Sequence, residues 1–147
     1  MKGKELFENS RSQAINVTPN GKISDYLNKI ALRFETAEIS FELINTGPSG
    51  QRGKVNCHIL FICEKMLYEI IYSDTTMEFS SIPVIEIDFI SIKANNNQQF
   101  IKGGLSGNDE LKLIISNGDY TMEYHSSSIA FDKLLHFRDV LIEQSKY

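Results

Sequence analysis

The chain has no tryptophan, two cysteines, three prolines and no long apolar run. Each scarcity removes a class of protein. Two cysteines cannot build a disulfide scaffold. Cys57 and Cys63 also share strand parity six residues apart, which on one strand separates their α-carbons by ~20 Å, beyond disulfide reach. They read as buried free thiols of a reducing compartment. No stretch approaches the ~20 apolar residues of a membrane-spanning helix. "MKGKELFENSRSQ" opens with positive charge but has no apolar core behind it, so no secretory signal is expected and the chain reads as cytoplasmic. A net charge of −4 gives no basic field, which argues against nonspecific binding to nucleic acid.

What is present is ordinary for one soluble domain: 147 residues, 41% of them hydrophobic, enough for a single core. The richness in Ile, Asn, Lys and Ser is that of an AT-rich genome, such as a bacterial one. Residues 1 to 21 are weakly patterned and end in the breaker cluster "NVTPNGK", so they read as a flexible arm before a single domain at 22–147. Ser24 as N-cap and Asp25 in the first turn predict a short helix over 24–33. Strands fill residues 35 to 125. Ala37, Ile39, Phe41 and Leu43 alternate with polar residues as in a half-buried strand. "KVNCHILFICE" is apolar on both faces, and Glu64-Lys65 turns it into "MLYEIIYS". "VIEIDFISIKA" alternates Ile85, Ile87, Phe89 and Ser91 against Glu86, Asp88 and Ile90. "NNNQQ" reads as a polar turn, and "FIKGGLSGND" as a glycine-loosened edge or loop. Asn117-Gly118 between "LKLIIS" and "YTMEYH" predicts a hairpin. Leu111, Leu113 and Ile115 with Tyr120, Met122 and Tyr124 are expected to face the core. Ser128 then caps a helix over 128–145 whose apolar face includes Phe131, Leu134, Leu135, Phe137, Leu141 and Ile142.

An optional helix, about seven mostly antiparallel strands and one closing amphipathic helix resemble the pleckstrin-homology superfold, in its bacterial and GRAM-like branches. The resemblance spans about residues 35 to 145 and is carried mainly by "IPVIEIDFISIKA", "LKLIISNGDYTMEYH" and the final helix. It implies a strongly bent sheet or partly open barrel closed by that helix. Classical members carry a tryptophan in the helix, and here Phe137 or Leu134 would fill its place. Lipocalin-like and cystatin-like folds fit the same element order.

"GPSGQRGK" invites a phosphate-loop reading, which fails. Five residues separate Gly47 from Gly53-Lys54, Val55 replaces the required hydroxyl, and a strand follows instead of a helix. By resemblance, this first strand-to-strand loop is where lipid-binding relatives hold phosphates. Arg52 and Lys54, with the amides of Gly50 and Gly53, are the residues that would bind an anionic lipid headgroup. The three histidines and two cysteines have no metal-ligand spacing, and no nucleophile, base and orienting group assemble from the sequence. No cofactor and no catalytic residue is assigned. The leading expectation is a non-catalytic module that docks a protein partner or its own copies at a free sheet edge around Gln99, Phe100 and Lys102. Anionic headgroup binding is the alternative, and a small-ligand carrier or enzyme with an internal pocket is the third.

Overall fold

The computed structural model describes residues 1–48, 55–101, 104–127 and 131–146, with the backbone alone at 47, 48, 55, 96–101, 104–109 and 127. The protein is mainly β, with two antiparallel sheets of four and three strands in place of one continuous barrel. It divides into two compact units, Met1–Val84 and Ile85–Tyr147.

The first unit begins with a helix where the sequence suggested an arm. Helix α1 (Gly3–Gln13) buries Leu6, Phe7 and Ser10, with Glu5 in its first turn and Arg11 in its last, as the helix dipole favours. Only two large apolar residues mark it, too few to stand out as a period. Its first amides are held by the far end of the next helix. Gly3 N–H donates to Ala37 O at 2.9 Å and Lys4 N–H to Glu35 O at 3.1 Å, so orphan groups at two helix termini satisfy each other. The approach is so close that a Cβ on Gly3 would stand 1.9 Å from Phe34 O, which only glycine permits.

Helix α2 (Gly21–Phe34) starts three residues before the predicted helix. Asn20, in place of Ser24, is the N-cap, its side chain accepting from Ile23 N–H at 3.0 Å. Ile23 and Phe34 are buried, and Leu27, Ile30 and Ala31 pack partly buried on the same core.

Strands β1 (Phe41–Pro48), β2 (Val55–Cys63), β3 (Met66–Tyr72) and β4 (Met77–Pro83) form a meander in chain order. Every residue of β2 from Cys57 to Cys63 is buried, as its continuous apolar run requires. Cys57, Ile59, Phe61 and Cys63 face the helices, where Phe61 meets Phe7, Phe34 and Tyr68. Both cysteines are free. Glu64 and Lys65 join β2 to β3 with φ of 51° and 62°, the two positive angles of a type I′ turn. Neither residue is suited to that region. Replacing them together (Glu64→Asn, Lys65→Gly) is expected to stabilise the protein by about 1 kcal/mol, raising Tm by ~2–4 °C in a thermal melt.

The predicted strand from Val84 does not form. Val84–Glu86 is a single 3-10 turn, leaving Ile85 exposed. Pro83, which cannot donate to a ladder, ends β4 just before it. Strand β5 (Phe89–Ile101) therefore starts with the opposite parity to the one expected. Ile90 and Ile92 stand opposite Ile115 and Leu113, and Phe89 points to the exposed side. "NNNQQ" is not a turn either. Asn95, Asn96 and Asn97 pair with Glu110, Asp109 and Asn108 inside a 13-residue ladder with β6 (Gly104–Ser116). The reversal comes later, between Ile101 and Gly104. Asparagine's turn preference is outweighed by a full set of backbone pairings along this hairpin.

The Asn117-Gly118 hairpin leads to β7 (Thr121–Ser127) as predicted, but with a four-residue connection. Only Gly118 has positive φ (91°), and the Asn117 side chain accepts from Tyr120 N–H at 2.9 Å. Leu111, Leu113, Ile115, Met122 and Tyr124 are buried as expected, while Tyr120 is exposed. Helix α3 (Phe131–Gln144) buries Leu134, Phe137 and Leu141, a narrower stripe than predicted, with Phe131 and Ile142 exposed. Ser128, the expected cap, lies outside the described residues. No described helix is long and apolar enough to cross a membrane.

Candidate docking surface

Outer strands carry unpaired amides and carbonyls, and these are binding groups in their own right. In the second unit β6 is central, so β5 pairs on one side only among the described residues. It is 13 residues long, roughly twice an ordinary strand, and α3 packs beside it. Its exposed side begins at Phe89, 53% accessible, and continues through Lys93 and Asn95. Phe131 and Ile142 of α3 are also exposed, at 41% and 42%. Eleven residues apart, they fall on one side of the helix, since eleven steps of 100° nearly close three turns. A peptide laid along β5 could gain backbone hydrogen bonds from the strand and apolar contact from such side chains.

Of the predicted site residues, Gln99 and Phe100 lie on β5, opposite Ser106 and Leu105. The segment is thus a paired strand with one outer edge, not the loose edge expected. Lys102 lies outside the described residues, as do Gly50, Arg52, Gly53 and Lys54. Phe89, at the start of this strand, was missed because the sequence pattern put it inside.

Two buried polar groupings were also missed. On the sheet face opposite the helices, His58 Nε2 and Glu69 Oε2 are 2.8 Å apart, both side chains 4% exposed. The signal was in the turn. Pairing Cys63 with Met66 puts Leu60 opposite Glu69, with His58 two residues along on the same face. On the helix side, Ser10 Oγ lies 3.5 Å from Tyr72 Oη and 3.9 Å from Cys57 Sγ. Burial pushes the Cys57 thiol up and the Tyr72 hydroxyl up to about 12. A thiol held protonated is a poor nucleophile, and no base stands in this trio. Among the described residues no three metal-binding side chains converge. No family model matches the chain, nor does any curated protein or solved structure.

Proposed function

We propose that the protein is a non-catalytic docking module that takes a protein partner, or a second copy of itself, by strand addition along β5 beside α3. One observation carries this reading: β5 is a long strand paired on one side only among the described residues, with an exposed phenylalanine at its start. An edge of this kind without a partner is an aggregation hazard, which a dedicated partner removes. The order of a four-stranded sheet, a three-stranded sheet and a closing helix supports the pleckstrin-like assignment. The buried free thiols fit a reducing, cytoplasmic setting.

The test is a pull-down with the tagged full chain across a salt series, run beside Phe89→Asp and Phe131→Asp. Both positions are exposed, so the variants should fold. The expected result is a stoichiometric partner that survives high salt and is lost at least tenfold with Phe89→Asp. Recovery of lipid alone, stripped by salt and abolished by Arg52→Ala with Lys54→Ala, would overturn the reading in favour of headgroup binding.

A further inference from the structure

Two hollows in the first unit share the walls Phe7 and Arg11. The outer one, about 360 Å3, is a groove between α1 and α2, within the size range of small-ligand sites. Phe7, Ala31 and Leu32 give it an apolar strip, and Leu32 is 69% exposed there. The inner hollow is about 30 Å3, above the ~10–15 Å3 that a water needs. Its apolar walls include Leu27 and Ile59, and its polar ones are Ser10, Arg11 and Tyr72.

The polar set is one-sided. A guanidinium only donates, and the two hydroxyls each bring a proton to offer. No carboxylate lines the inner hollow. Ser10 and Tyr72 are 3% and 5% exposed, and their partners are weak: their oxygens stand 3.5 Å apart, long for an O–H···O bond, and the other partner is the Cys57 sulfur, a poor acceptor 3.9 Å from Ser10 Oγ. Burial pushes the Tyr72 hydroxyl up to about 12, so it is protonated near neutral pH, and Arg11 is close enough to act on it electrostatically. Such a set is complementary to a group that only accepts, carries negative charge and is small. With Arg11 engaged by the first negative group, Lys4 alone faces Glu8 and Glu35 on the outer groove, which leaves a second negative charge on the same ligand unfavoured.

We infer that these hollows bind an amphipathic monocarboxylate of the medium-chain fatty acid class. The carboxylate sits among Arg11, Ser10 and Tyr72, and the chain lies along Phe7, Ala31 and Leu32. A bare carboxylate suits a hollow of this size better than a tetrahedral phosphate or the last amide of a peptide.

Titration calorimetry on the full chain tests this with decanoate, decanol and decyltrimethylammonium as probes. Decanoate should bind saturably at one site, and decanol and the cation at least tenfold more weakly. Arg11→Gln should weaken decanoate about tenfold or more, the scale of a lost charge-assisted hydrogen bond. Leu32→Glu should weaken it similarly by placing charge on the apolar strip. Both residues are exposed, so the fold should persist, with circular dichroism as the check. Tyr72→Phe should cost a smaller, several-fold factor. Absence of saturable decanoate binding, equal binding of decanol, or unchanged affinity in folded Arg11→Gln each overturns the assignment. Tighter binding of the tripeptide Ala-Ala-Phe than of decanoate overturns it in favour of a peptide carboxylate.

Discussion

Phe61→Ala is expected to be the most damaging single truncation in the first unit, costing about 3–5 kcal/mol. Phe61 is fully buried in mid-β2 and touches three aromatic rings. Phe7 and Phe34 meet it edge-on at 6.2 and 5.1 Å, and Tyr68 stacks on it at 5.1 Å and 20°. Removing the ring leaves a cavity that two helices and two strands would have to collapse together, and close-packed interiors do so only in part. The aromatic pairs add more than area alone, since each carries about 0.5–1.5 kcal/mol of specific geometry. A urea titration followed by circular dichroism should show the midpoint falling with little change in slope. The control is Phe79→Ala at the outer end of the same stack. It lies 5.8 Å from Tyr68 but is 40% exposed, so its loss should cost well under half as much. Equal effects at the two positions would mean that the core is not centred where the structure has it.

The second large effect belongs to His58 and Glu69. Breaking this pair from either side should cost about 2–5 kcal/mol, because the remaining polar group loses its 2.8 Å partner while only 3% exposed. His58→Leu with Glu69→Leu together should cost much less than the two singles summed, since an apolar pair leaves neither group behind. The double-mutant cycle should therefore return a coupling of at least ~1–2 kcal/mol. Additive singles would show that the two side chains are held by other neighbours and not chiefly by each other.

The sequence made the local elements of this fold legible where one signal dominated. β2 announced itself by a run apolar on both faces, the Glu64-Lys65 reversal by a charged pair between two apolar runs, and the Asn117-Gly118 reversal by the dipeptide itself. It misled where two signals competed. Ile85, Ile87 and Phe89 alternate like a strand, yet Pro83 and the 3-10 turn consume part of that period, and Phe89 emerges on the outside. "NNNQQ" has the composition of a loop, but each of its residues pairs with one on β6 along one side of the strand, which composition cannot reveal. α1 was hidden because its stability rests on Gly3 and Lys4 reaching the carbonyls of Ala37 and Glu35, partners more than thirty residues away. The candidate surface was legible as an edge, but its regular pairing with β6 was not. The expectation chose Gln99 and Phe100 for their loose surroundings, whereas β5 differs from the other described outer strands in its length of 13 residues. The Arg11, Ser10 and Tyr72 grouping joins a helix to a strand far along the chain, and no local pattern could have assembled it.

The most direct test of the docking claim is amide hydrogen exchange across residues 89–101, with the chain alone and saturated with the protein that the salt-series pull-down recovers. Strand addition predicts that the outward-facing amides of β5 slow by at least tenfold on binding, along with those at the neighbouring turns of α3. Protection confined to the first unit or to residues 47–54, with β5 unchanged, would contradict it.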